Sequence, residues 1–194
     1  MLVDAQVQKV GLLGGSFNPA HGGHREISVE ALEKLRLDAV WWLVSPGNPL
    51  KDPEIYAPYE RRLSTARAIS HHERIVVSDF ERRRGLQYTV DTLDALTSDM
   101  PAIHFVWLMG ADSLAGFHNW RNWRRIAELT PMAVFNRPTY QCDALQSEAA
   151  TALAPFRIDA ADARDLPGAE PPAWVFFEHT DNPASSTALR HSSN

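Results

Sequence analysis

Gly11-Leu12-Leu13-Gly14-Gly15-Ser16-Phe17-Asn18-Pro19-Ala20-His21-Gly22-Gly23-His24 is the stretch on which the fold turns. Its apolar lead-in, Val10 to Leu13, runs into two glycines, a Ser-Phe-Asn-Pro turn and two histidines. Downstream, Ile27, Ala31, Leu32 and Leu35 recur at helical spacing. The pattern predicts a strand, a glycine turn and the start of a helix. A helix start presents unpaired N–H groups and the positive end of the helix dipole, so it favours an anion such as phosphate. Three residues apart, His21 and His24 share a helix face and point across that site. Gly14, Gly15, Gly22 and Gly23 would let the backbone approach a ligand with no Cβ in between. Pattern alone leaves other roles open, because the string fits neither GxGxxG nor GxxxxGK[ST]. Capping groups or two metal ligands are the alternative roles for the histidines. The metal reading is the weaker, since no Cys or further His lies nearby to complete a set.

A chain of 194 residues with 44% hydrophobic content suits one domain, residues 1–194, with a sizeable core. Net charge is −5 and the pI about 5.9. That balance argues against binding nucleic acid or a membrane surface, which would want a basic face. Of the 19 basic residues, only Lys9, Lys34 and Lys51 are lysines. The lone cysteine, Cys142, allows no intramolecular disulfide and suits a reducing compartment. The opening MLVDAQVQKV lacks the basic-then-apolar pattern of a signal peptide. No apolar run approaches the roughly 20 residues of a membrane helix. A cytoplasmic protein is expected. Oligomeric state is left open, with a homo-oligomer allowed.

Outward from the opening helix, Ala39 to Val44 (AVWWLV) reads as a buried strand. It empties into SPGNPLKDPEIYAP, where four prolines and a glycine forbid regular structure. Lys51 sits inside this loop, which on its own suggests a solvated lysine. Tyr59 to Ser70 is predicted helical, with Leu63, Ala66 and Ile69 inward and Arg61, Arg62 and Arg67 toward water. Ile75 to Val77 follows as a strand, then the basic run Arg82-Arg83-Arg84, expected to be a solvated patch. Thr89 is placed to cap a helix whose inner face is Val90, Leu93 and Leu96. Ile103 to Met109 is a strand closing on Gly110-Ala111-Asp112-Ser113, where Asp112 holds a ligand hydroxyl or caps the next short helix. Trp120 and Trp123 are three apart, so one reaches outward while the other packs inward. Met132 to Phe135 and Trp174 to Phe177 read as strands, Asp143 to Leu153 as a weak helix, and Phe156 to Ala173 as an irregular loop. Near the end, Ser185 or Ser186 is placed to cap a last helix, leaving N–H groups and hydroxyls for phosphate, with Arg190 as a planar cation.

Strands alternating with helices imply an α/β fold with a parallel sheet and helices on both faces. Two motifs sharpen this. GGSFNPAHGGH resembles the HxGH signature of the adenylyltransferase and cytidylyltransferase superfamily, and its GGSFNP lead-in is most similar to the nicotinate-nucleotide adenylyltransferase family. SSTALR, Ser185 to Arg190, resembles that family's SSTxxR, with Ala184 standing where the family usually has Ile. Relatives continue beyond this motif with a helix and a tail, whereas this sequence ends at Asn194.

The resemblance implies a Rossmann-like, doubly wound parallel sheet and transfer of an adenylyl group from ATP to nicotinate mononucleotide, giving deamido-NAD and pyrophosphate. It implies catalytic roles for His21, His24, Lys51 and Arg190. Gly14, Gly15, Ser16, Phe17, Arg137, Ser185, Ser186 and Thr187 would serve ATP and its phosphates. Thr89, Gly110, Asp112 and Trp120 would serve the nicotinate nucleotide, with the indole beside the ring. Mg²⁺ is expected only as carried by ATP, with no protein metal site. The rivals are phosphopantetheine adenylyltransferase, which shares both end motifs, and a nucleotide-binding sensor without turnover.

Overall fold

The computed structural model describes residues 8–47, 56–136 and 144–178. In chain order its strands are β1 (Gln8–Gly15), β2 (Ala39–Val44), β3 (Ile75–Ser78), β4 (Ile103–Gly110), β5 (Met132–Phe135) and β6 (Trp174–Phe177). The helices are α1 (Gly22–Lys34), α2 (Tyr59–Ser70), α3 (Phe80–Arg84), α4 (Thr89–Asp99), α5 (Ala111–Ala115), α6 (Trp123–Leu129) and α7 (Glu148–Ala152). All neighbouring strands pair in parallel, in the order β3-β2-β1-β4-β5-β6. This is the doubly wound Rossmann order, whose direction of winding reverses between β1 and β4.

The alternation of strand side chains shows why the sheet is covered twice. On β4, Phe105, Trp107 and Met109 join one buried cluster with Val90, Leu93 and Leu96 of α4 and Trp123 and Ile126 of α6. Val106 and Leu108, pointing the other way, join a second cluster with Ile27, Ala31 and Leu32 of α1 and Leu63 and Ala66 of α2. Successive residues of a strand face opposite sides, so a strand apolar throughout needs helices on both. Burying each large side chain contributes about 1.5–3 kcal/mol. Among the described residues, no helix is long and apolar enough to cross a membrane.

Several local expectations are corrected. β1 runs on through Gly14 and Gly15, so these glycines are strand residues rather than a turn. A Cβ at Gly14 would lie 2.3 Å from Trp107 Cη2; this glycine makes room for an indole rather than for a ligand. Thr89 is the first helical residue of α4, whose N-cap is Tyr88. Trp120 and Trp123 do not share a helix face. A 3₁₀ turn, Phe117–Asn119, ends at Trp120, and Asn122 takes a left-handed conformation (φ 51°) before α6 starts at Trp123. The weak helix contracts to Glu148–Ala152, capped by Ser147, whose Oγ accepts from Ala150 N–H at 3.2 Å. The expected loop after Phe156 contains a 3₁₀ run, Ala160–Gly168, which buries Ala163, Leu166 and Pro167. Arg62, expected in water, is buried.

Candidate active site

His21 caps α1 and His24 is its third residue, so the predicted helix start is where the sequence placed it. Two bonds lock the pair: His24 N–H donates to His21 O at 3.0 Å, and His21 N–H donates to His24 Nδ1 at 3.2 Å. The rings lie 3.9 Å apart, centroid to centroid. Because Nδ1 of His24 accepts, a neutral ring carries its proton on Nε2, which is then a donor. Behind it, Trp42 Nε1–H donates to Ser28 Oγ (2.7 Å), and Ser28 Oγ–H donates to His24 O (2.8 Å). Trp42 and Ser28 are fully buried, so the histidine backbone is held from the core.

Phe17 adds a further support. Its φ of 47° is left-handed, which costs a non-glycine residue about 1–2 kcal/mol. The ring stacks on Trp42 at 5.1 Å and meets His24 at 4.7 Å, and its burial offsets that strain. With the side chain in the core, only the backbone of Phe17 is available to a ligand. Asn18 Oδ1 accepts from Ala57 N–H at 3.0 Å, joining this loop to the approach of α2.

Arg62 is the first functional candidate that sequence reasoning missed. Its guanidinium donates to Ser16 O (2.5 Å), Ser45 O (2.9 Å), Pro46 O (2.8 Å) and Ala57 O (3.1 Å). It also lies over the rings of Tyr56 and Tyr59. Burial lowers its pKa, yet arginine titrates so high that the charge stays. The signal was present: Tyr59, Arg62, Leu63 and Ala66 fall at i, i+3, i+4 and i+7, on one apolar stripe. Tyr59 O–H donates to Val44 O (3.2 Å), and burial raises its pKa.

The second half of the site lies across the sheet at the same carboxyl edge. Gly110 ends β4 and caps α5, so Asp112 is not the cap; its exposed carboxylate stands in the helix's first turn. Half-buried Trp120 meets Trp107 and Phe117 edge to face, at 6.4 and 5.4 Å. Trp123 is buried against Phe117, whereas Trp120 packs on the same core cluster and keeps part of its surface open. α4 leads into β4 and so begins at the carboxyl edge, bringing Tyr88 and Thr89 there. Arg121 lies 4.5 Å over the Tyr88 ring, which places Thr89 and Trp120 on neighbouring segments.

Beneath Tyr88 sits the second missed residue, Glu81. Thr92 Oγ1–H donates to its Oε1 at 3.0 Å, and Leu86 N–H donates to its backbone O at 2.8 Å. Burial pushes its carboxyl up to about 7. No local signal marks it, because Phe80-Glu81-Arg82-Arg83-Arg84 reads as a charged surface run. The three arginines are indeed exposed and pair with Glu60, Asp79 and Asp99.

The structure thus groups Ser16, Phe17, His21 and His24 on the α1 side and Thr89, Gly110, Asp112 and Trp120 on the other. Gly14, against Trp107, lies between them, and Gly15 ends β1. Lys51, Arg137, Ser185, Ser186, Thr187 and Arg190 lie outside the described residues. Among the described residues, no group of three or more His, Cys, Asp or Glu is placed to hold a metal.

Comparison with known proteins places the chain in a family. Residues 12–192 match the family described as cytidylyltransferase-like. A protein of Methylorubrum extorquens, named "Probable nicotinate-nucleotide adenylyltransferase", is 52% identical over 182 residues, covering 94% of this chain and 98% of that protein. One of the same name from Cereibacter sphaeroides is 51% identical over 181 residues, covering 93% and 96%. Among solved structures, the Plasmodium falciparum nicotinic acid mononucleotide adenylyltransferase complexed with NaAD superposes with a TM-score of 0.73 at 15% identity, covering 95% of this chain and 83% of that one. At that identity the likeness speaks for the fold alone.

Proposed function

The chain belongs to the cytidylyltransferase-like family, among the nicotinate-nucleotide adenylyltransferases, and from that premise we propose that it makes deamido-NAD from ATP and nicotinate mononucleotide as one nucleotidyltransferase domain. The observation that carries the reading is the locked pair His21–His24 at the start of α1, beside the reversal point of the sheet. In open α/β sheets, ligands bind at that crevice.

A phosphate oxygen of the mononucleotide attacks the α-phosphorus of ATP. The bond to the β-phosphate oxygen breaks, and pyrophosphate leaves on the opposite side. No covalent enzyme intermediate is needed, so catalysis is positioning plus stabilisation of charge. His24, donating through Nε2, and His21 face the α-phosphoryl oxygens. Lys51 and Arg190 neutralise the triphosphate, and Ser185, Ser186 and Thr187 hold its far end, with Arg137 nearby. Gly14, Gly15, Ser16 and Phe17 contribute backbone only. Mg²⁺ enters with ATP as part of the substrate, bound to phosphate oxygens and water. On the other side, Thr89, Gly110 and Asp112 receive the nicotinate nucleotide, and the Trp120 indole faces its pyridinium, a cation–π contact of about 0.5–2 kcal/mol.

The test is pyrophosphate release with nicotinate mononucleotide, nicotinamide mononucleotide and phosphopantetheine as parallel acceptors. A nicotinate carboxylate needs only donors around it, whereas the amide leaves its NH₂ facing them. We expect at least ~10-fold higher kcat/KM with the acid than with the amide. Equal or reversed values refute the acceptor assignment. Phosphopantetheine as the preferred acceptor, or nucleotide binding without turnover, refutes the reaction.

A further inference from the structure

We propose that Arg62 is the positioning residue for the triphosphate half of the site: its one buried guanidinium fixes Ser16–Phe17 after β1 and Ser45–Gly47 after β2 so that the amide N–H groups of Phe17 and Gly47 face the phosphates. The inference rests on the nucleotide reading above and goes beyond it, because Arg62 belongs to none of the recognised motifs.

Four hydrogen bonds carry the argument. Ser16 lies in the loop after β1, Ser45 and Pro46 in the loop after β2, and Ala57 just ahead of α2. A planar guanidinium offers five donors in a rigid fork, so it can draw three separate segments together at fixed angles. The two strand loops are also tied directly, Ser45 N–H donating to Gly15 O at 2.9 Å.

The orientation of the peptides gives this a functional sense. Across a trans peptide, C=O and N–H point in opposite directions. With the Ser16 and Pro46 carbonyls held on Arg62, the N–H groups of Phe17 and Gly47 point away from it. Neither finds an acceptor among the described residues. Among the described residues, nothing lies within 4 Å of where a Gly47 side chain would stand. Oriented amides of this kind form an anion-binding concavity. Beneath them, Arg62 keeps a charge that among the described residues is met by carbonyl dipoles and aromatic faces, with no carboxylate pairing it.

The experiment compares Arg62→Lys with wild type in the full chain. Lysine keeps the charge but cannot span the same carbonyls. The KM for ATP and the calorimetric Kd for inorganic pyrophosphate should each rise roughly 10- to 100-fold, the scale of losing hydrogen bonds to a charged group. The KM for the mononucleotide should stay within about threefold, since its pocket lies across the sheet. Leu35→Ala is the control for stability alone: Leu35 is buried at the far end of α1, about 20 Å of helix from His21. A lysine variant that lowers Tm as Leu35→Ala does, yet keeps both ATP KM and pyrophosphate Kd, overturns the proposal. Should Arg62→Lys fail to fold, amide exchange in the wild type decides: pyrophosphate must slow exchange at Phe17 and Gly47, and unchanged rates at both overturn it. Pyrophosphate binding and exchange are read without turnover. A wild type that binds pyrophosphate but joins no mononucleotide therefore refutes the reaction alone and leaves the role of Arg62 to be decided by its own data.

Discussion

Replacing Glu81 with glutamine should make the protein more stable above neutral pH and leave it little changed at pH 5. Glu81 is 5% exposed, and its described side-chain bond is from the Thr92 hydroxyl. Burial moves its carboxyl from the ordinary 4.5 up to about 7. At about 1.36 kcal/mol per unit, that amounts to about 3 kcal/mol. The sign follows from proton counting. Below pH 4.5 both folded and unfolded chains hold the proton, so the group costs nothing. From there to pH 7 the unfolded chain releases it while the folded chain keeps it, and stability falls as pH rises. Above pH 7 the penalty is complete, and a carboxylate must be borne in the core. The glutamine of Glu81→Gln never ionises and can still accept from Thr92. Urea denaturation of both proteins at pH 5 and pH 8 isolates the effect, because every other group titrates alike in the two. The wild type should lose about 2–3 kcal/mol more than the variant between these pH values, roughly 1 M in urea midpoint. Parallel pH dependences, within about 0.5 kcal/mol, would show that Glu81 carries no buried proton and refute the reasoning.

Removing either histidine ring should damage chemistry far more than folding. His21→Ala or His24→Ala should lower kcat at least ~100-fold, the usual scale for one preorganised donor, with circular dichroism unchanged; near-normal turnover in both would rule out the mechanism. Trp120→Ala should raise the KM for the mononucleotide about threefold or more while the KM for ATP stays near normal, in line with the loss of one cation–π face. Equal damage to both constants together with a lower Tm would make Trp120 a core residue, packed on Trp107 and Phe117 and nothing else.

What could be read from the chain alone was whatever local pattern encodes. Val10–Leu13, Ala39–Val44, Met132–Phe135 and Trp174–Phe177 are apolar throughout, and a parallel strand covered on both faces has no other way to look. The Asn18-Pro19 turn and the paired histidines likewise announced the start of α1, because caps and turns are chosen by neighbouring residues. Tertiary structure decided what neighbours cannot. Gly14 turned out to be space for Trp107, a residue more than ninety positions away. Thr89 and Trp120 came onto adjoining segments only because α4 and the turn before α6 pack on one face of the sheet. Arg62 and Glu81 differ most from their sequence appearance, since a charged side chain is ordinarily solvated. Whether it is buried depends on what distant elements close over it. For Arg62 those are carbonyls brought from two loops, and for Glu81 the hydroxyl of Thr92. That desolvation is a property of the assembled core, and no window of sequence contains it.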